Sequence, residues 1–215
     1  MGLAVKVGQY SKLAAKSDLK RAESLAKIFN DINDVLEEEG YERFIEPESL
    51  NNLQMRVWCD SLPYSYMHYL RRFYAHILSD PDWIPEALSD DEIPTQDPVL
   101  KEETLNFDCH LICHSDAEGF YFPMELDEVI FDLEDKGRIL GGMLGSSYSL
   151  MEELLQIAPK LGIHLVDNKL SDEEANKVNQ LADSKEGFYR EYAVWIILFE
   201  AARLSIEYKT AISFS

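Results

Sequence analysis

The cluster Cys109-His110-x-x-Cys113-His114 holds the residue types closest to a chemical site. Thiols and imidazoles four apart share a face of a helix and could hold zinc together. The flanking pattern predicts a strand over 107–114 instead, with Phe107, Cys109, Leu111 and Cys113 on one face and Asp108, His110, Ile112 and His114 on the other. On a strand the two cysteines stand roughly 13 Å apart, too far for one ion held at about 2.3 Å. The expectation is buried thiols acting as small apolar side chains, with no metal and no cofactor.

His114-Ser115-Asp116 has the residue types of a hydrolytic triad, but such triads assemble from distant parts of a chain, and no G-x-S-x-G elbow is present. Ser115 and Asp116 fit better as caps of a hairpin running from 115 to 119, followed by a second strand at Phe120-Tyr121-Phe122. The other candidate loop is Gly141-Gly142-Met143-Leu144-Gly145-Ser146-Ser147. Its glycines allow close backbone approach, and a helix follows. It lacks the lysine of a nucleotide-binding loop. A small-ligand protein or enzyme would place its site where the 114–119 hairpin meets the 141–147 loop. His110 and His114 would be its acid and base, and Gly142, Gly145 and Ser146 its backbone cradle.

Charge supplies a different reading. Forty Asp+Glu stand against twenty Lys+Arg, a formal charge of −20. That sign argues against nucleic acid or an anionic membrane as partner, since both attract cations. The acids are grouped: residues 31–48 carry eight against one base, 80–103 nine against one, and 115–135 eight against none. Such runs are most often solvated faces. If they converge, they form a negative face for a basic protein partner. The candidate contacts are Asp90, Asp91, Glu92, Asp116 and Glu118 on expected loops, with an aromatic anchor such as Trp83 or Tyr121. Arg71 and Arg72, on an otherwise aromatic helix, are expected to pair internally with one of the acidic stretches.

The elements that position these residues are mostly helical. Three- and four-residue apolar steps predict helices over 18–39, 62–78, 148–160 and 187–207, with a short polar helix opened by a Ser171–Glu174 capping box. Ser17 is the expected cap of the first, and Ser149 with Glu152 that of the third. The central residues of 187–207 are apolar all round, which marks a buried helix. Ile163–Val166 is a candidate strand. The fold class is α+β, predominantly helical, with a small antiparallel sheet around residues 107–123. Residues 1–215 form one domain, with the acidic, proline-rich loop 80–103 as its seam.

The stretches His110–Pro123 and Gly141–Leu154 resemble a group of small acidic bacterial proteins of the immunity type, which neutralise toxins. The resemblance covers those two stretches, carries no catalytic signature, and transfers no functional residue. It implies a bacterial cytoplasmic protein. Three cysteines, no secretory leader and no apolar run of about 20 residues agree with a soluble cytosolic chain. The leading expectation is therefore a protein-binding module of the immunity or inhibitor type, docking a basic partner through acidic surface. The oligomeric state cannot be read from the chain.

Overall fold

The structure, a computed structural model, describes residues 2–11, 18–50, 53–59, 61–132 and 137–215. Six short strands form one mixed sheet: β1 (Leu3–Val7), β2 (Ser61–Leu62), β3 (Gly119–Phe122), β4 (Ile130–Phe131), β5 (Met143–Ser146) and β6 (Ile212–Phe214). Their order is β2-β1-β6-β3-β5-β4. The pair β3–β5 is parallel, and the other neighbours are antiparallel. The expected class, α+β with helices dominating, holds. The sheet is larger than the hairpin expected from the sequence, and it draws strands from both ends of the chain.

Side chains on a strand alternate between faces, and β3 shows the consequence. Phe120 and Phe122 enter one apolar cluster, with Leu144 and Ile130. Tyr121 enters the other, with Phe214 and Ile212. The first cluster is closed by α1 (Leu19–Glu38), which seats Leu25, Phe29, Ile32, Val35 and Leu36 on the sheet. The second lies beneath α2 (Tyr64–Ser79), α5 (Ser147–Lys160), α6 (Asp172–Asp183) and α7 (Tyr189–Tyr208). The sheet is thus sandwiched between one helix and several. Helix α7 is the hub of the thicker side. Its middle is buried all round, and Trp195 donates its indole N–H to Leu154 O at 2.9 Å.

The predicted helices are present within a residue or two of their expected ends. The cap expected at Ser17 lies outside the described residues. Ser171 caps α6 by accepting from Glu174 N, one half of the expected capping box; the Glu174 carboxylate accepts from His164 N and Lys177 Nζ instead of closing the other half. Helix α5 is capped by Ser146, whose Oγ accepts from Tyr148 N and Ser149 N, three residues ahead of the cap expected at Ser149. Two short helices, α3 (Pro98–Thr104) and α4 (His110–Cys113), lie between α2 and α5.

Helix α4 corrects the expected strand over 107–114. Four residues of helix would not form unaided, because a first turn fixes several dihedrals for one hydrogen bond. Here the Glu153 carboxylate, reaching over from α5, accepts from His110 N and Leu111 N at 2.7 Å each. Cys109 Sγ accepts from Ile112 N. The turn is capped from 43 residues away. Ile163–Val166 likewise forms no strand; Val166 makes a single bridge to Lys169.

Candidate functional site: an acidic face

Helix α1 is amphipathic, and its buried stripe fixes which acids face water. With Phe29 edge-on to Phe120 and Phe122 at 5.3 and 5.4 Å between ring centres, Asp34, Glu37 and Glu38 stand on the outer side. At a rise of 1.5 Å per residue, Asp34 and Glu38 are about 6 Å apart along the axis. Gly40, at φ 86°, then reverses the chain, and Tyr41 N donates to Leu36 O at 2.8 Å. The returning segment is held by the buried Asn33 amide, which donates to Phe44 O at 2.9 Å and accepts from Phe44 N at 2.7 Å. Phe44 stacks on Phe122. Glu39 and Glu42 are left exposed at the turn.

The segment after β3 joins this surface. Leu126, Val129 and Ile130 are buried, so Glu125, Asp127 and Glu128 project outward. Asp127 N donates to the Tyr41 hydroxyl at 3.2 Å, stitching the segment to the turn after α1. Nearby, one Arg138 nitrogen donates to both carboxylate oxygens of Glu38 at 2.8 Å, and Arg138 also approaches Asp132 at 3.6 Å. Two of the three acidic stretches therefore meet on the α1 side of the sheet. Among the described residues, Glu39, Glu42, Glu125, Asp127 and Glu128 form no ion pair. Arg43 bridges Asp34 and Glu37 at 3.1 and 2.6 Å, on exposed surface where such pairs contribute little.

Two acids of these stretches, Asp132 and Glu46, turn inward. Glu46 accepts from the Thr210 hydroxyl and from Ala211 N at 2.8 Å, and burial pushes its pKa up to about 7 against both hydrogen bonds. It anchors the segment after α1 to β6.

The third stretch, 80–103, packs on α2 across the sheet and does not join the face. Asp97 accepts from Arg72 Nε at 2.7 Å, contacts His76 Nε2 at 2.9 Å and caps α3. Burial opposes its charge, but the bonds from His76 and Arg72 outweigh burial and leave its pKa lowered. This is the internal pairing expected of Arg72; Arg71 makes none of its own. Asp90 pairs with Arg190, and Glu92 accepts from the backbone and hydroxyl of Ser89 at 2.8 Å each. Asp91 is exposed. Asp116 pairs with His68 at 2.8 Å, while Glu118 is exposed at the start of β3.

The other expected contacts are interior. His114 is 1% exposed, stacked on Tyr121, with its two ring nitrogens 2.9 and 3.0 Å from the carbonyls of Ser115 and Phe120. Burial pulls its pKa down to about 4, and does the same to His110, whose Nδ1 accepts from Ser146 N. Both are buried with their ring nitrogens against backbone groups, which removes them as an acid–base pair. Gly145 is buried where a Cβ would run into the Tyr121 ring, and Ser146 is buried as a cap donating to Met124 O at 2.6 Å. Gly142 alone of that loop's candidates is exposed. The 114–119 and 141–147 segments do come together, but they fill the space between them: a Cβ on Gly141 would strike Glu118 O. The aromatic anchors are likewise engaged. Tyr121 is fully buried, and Trp83 stacks on His76. Among the described residues no group of three or more His, Cys, Asp and Glu could hold a metal ion. No helix among them is long and apolar enough to cross a membrane.

Residues 1–214 match the model of a protein family described as putative DNA-mimic protein, and the chain belongs to that family. No curated protein and no solved structure matches it. Family membership overturns the immunity-type docking module expected from the sequence, together with its small-ligand alternative, and the buried histidines agree with the second correction. The residues of the face missed by sequence reasoning are Asp34, Glu37, Glu38, Glu39, Glu42, Glu125, Asp127 and Glu128. Their signal was available in part: acids at the polar positions of α1, and acids interleaved with Leu126, Val129 and Ile130.

Proposed function

We propose that the chain occupies the DNA-binding surface of a DNA-binding protein, its carboxylates standing where DNA phosphates would. The observation that carries this is the juncture of two acidic stretches on one side of the sheet, at the Tyr41–Asp127 hydrogen bond, in a chain of the DNA-mimic family. Duplex DNA presents closely spaced negative charges on a stiff frame, and DNA-binding proteins meet them with Lys and Arg. Glu39 and Glu42 are placed by the turn that Asn33 and Phe44 hold after α1, and Glu125, Asp127 and Glu128 by a segment whose apolar residues Leu126 and Ile130 are sunk in the same core. Rigid placement matters, because each flexible side chain ordered on binding costs about 0.5–1.5 kcal/mol.

The test is competition. Proteins captured from lysate on the immobilised chain at low salt should elute when duplex DNA is added, and the purified captured protein should lose its DNA as free chain is titrated in. Capture indifferent to duplex DNA would refute the reading.

A further inference from the structure

One cation is handled unlike the others. Arg71 of α2 is 6% exposed in a chain of charge −20, yet no carboxylate bonds to it. Its Nε donates to Leu111 O at 2.9 Å and its Nη2 to His114 O, so the guanidinium caps the C-terminal end of α4. Nη1 makes no hydrogen bond to the protein and keeps accessible surface. A buried guanidinium whose hydrogen bonds go only to neutral carbonyls, with Asp116 acting on it from a distance, is costly, and that cost favours an anion that bonds to it directly.

Arg71 lines a cavity of about 320 Å³ between α2, α3 and α4, with His68, Thr95, Leu100, Lys101 and Ile112. Leu100 and Ile112 are buried and form an apolar floor, while Lys101 is exposed at the rim and adds a second cation. The nearest acid, Asp116, is engaged by His68 at 2.8 Å. Apolar walls with a few convergent polar groups are the usual form of a small-molecule site.

We propose that this cavity binds a small organic carboxylate, its acid group bridging Arg71 Nη1 and Lys101 Nζ and its apolar body resting on Leu100 and Ile112. Two details select that class. Arg71 offers one free nitrogen, which suits one oxygen of a carboxylate whose other oxygen meets Lys101. An inorganic phosphate carries more charge into the neighbourhood of Asp116 and has nothing to place on the apolar floor. The site is independent of the acidic face, which lies across the sheet.

Benzoate titrated into the full chain at constant ionic strength provides the test, read by thermal unfolding and by the NMR signal of the Arg71 Nε–H group. The expected result is a saturable rise in Tm with a saturable shift of that signal, since a ligand that binds only the folded chain stabilises it by mass action. Benzamide, which keeps the ring and loses the charge, and inorganic phosphate should give neither. Lys101→Glu, a surface change that leaves Arg71 in place, should weaken benzoate at least tenfold. The absence of saturable binding, an equal response to benzamide or phosphate, or full affinity in Lys101→Glu would overturn the proposal.

Discussion

Residues 80–103 and 115–135 carry the same charge surplus in the sequence, yet the fold sets them on different sides of the sheet, and only the second meets the acids that follow α1. Around the first, α2 and α7 supply Arg72, His76 and Arg190, so Asp97 and Asp90 are consumed in holding the loop onto the helices, while Asp82, Glu86, Asp91 and Glu102 stand exposed without an ion pair among the described residues. In the second, Asp116 pairs with His68 and Asp132 sits 3.6 Å from Arg138, but Glu125, Asp127 and Glu128 meet no cation among the described residues. Which single acids become mortar depends on the cations other elements bring to them, and which exposed acids share one display depends on where the fold sets their segments. Counting acids along the chain cannot separate the two.

The largest expected effect lies on the consumed side. Glu200 of α7 is fully buried and held by Arg56 at 2.6 Å and Arg203 at 2.8 Å. Burial opposes its charge, but hydrogen bonds from Arg203 and Arg56 hold its pKa at about 2. Glu200→Gln should lower unfolding free energy by about 3 kcal/mol in urea titration at pH 7, because it takes the buried carboxylate from two arginines and leaves them only Asp172 and Glu207 at the surface. A depressed pKa stabilises above the unfolded value near 4.5 and is lost as pH falls toward 2. The gap between variant and parent should therefore close at low pH.

Asp97→Asn comes next, at about 2 kcal/mol, since it keeps the α3 cap but removes the charge that holds Arg72 and His76. Glu46→Gln should act in the opposite direction. With its folded pKa raised to about 7, the parent is increasingly penalised as pH rises from about 4.5 to 7. The glutamine should be neutral near pH 4.5 and more stable by about 1–2 kcal/mol at pH 8, measured by urea denaturation at both pH values. On the displayed side, Glu125→Gln, Asp127→Asn and Glu128→Gln should each change stability by less than about 0.5 kcal/mol.

Much of the helical frame was legible because helices announce themselves locally. The apolar steps of α1 and the Ser171 cap of α6 need nothing beyond neighbouring residues. The sheet was not, because β1 and β6 are short and find partners at the other end of the chain, as in Val5 opposite Phe214. The misread strand at 107–114 has the same cause: the cap that makes 110–113 helical is Glu153. The acidic face was half legible. The runs were visible, but their meeting depends on Phe44, Phe29 and Phe122 packing across some ninety residues of chain. The loop acids Asp90 and Glu92 looked equally available, and nothing local reveals the cation of α7 beside Asp90.

The comparison can be made into one measurement: displacement of duplex DNA from a captured DNA-binding partner, with two charge-neutralised chains beside the parent. One carries Glu125→Gln, Asp127→Asn and Glu128→Gln, and the other Asp90→Asn, Asp91→Asn and Glu92→Gln. Each loses three negative charges, so any general effect of net charge is shared. The account predicts that the first loses displacement about tenfold or more while the second matches the parent within about twofold. Equal losses in the two chains, or loss in the second alone, would contradict it.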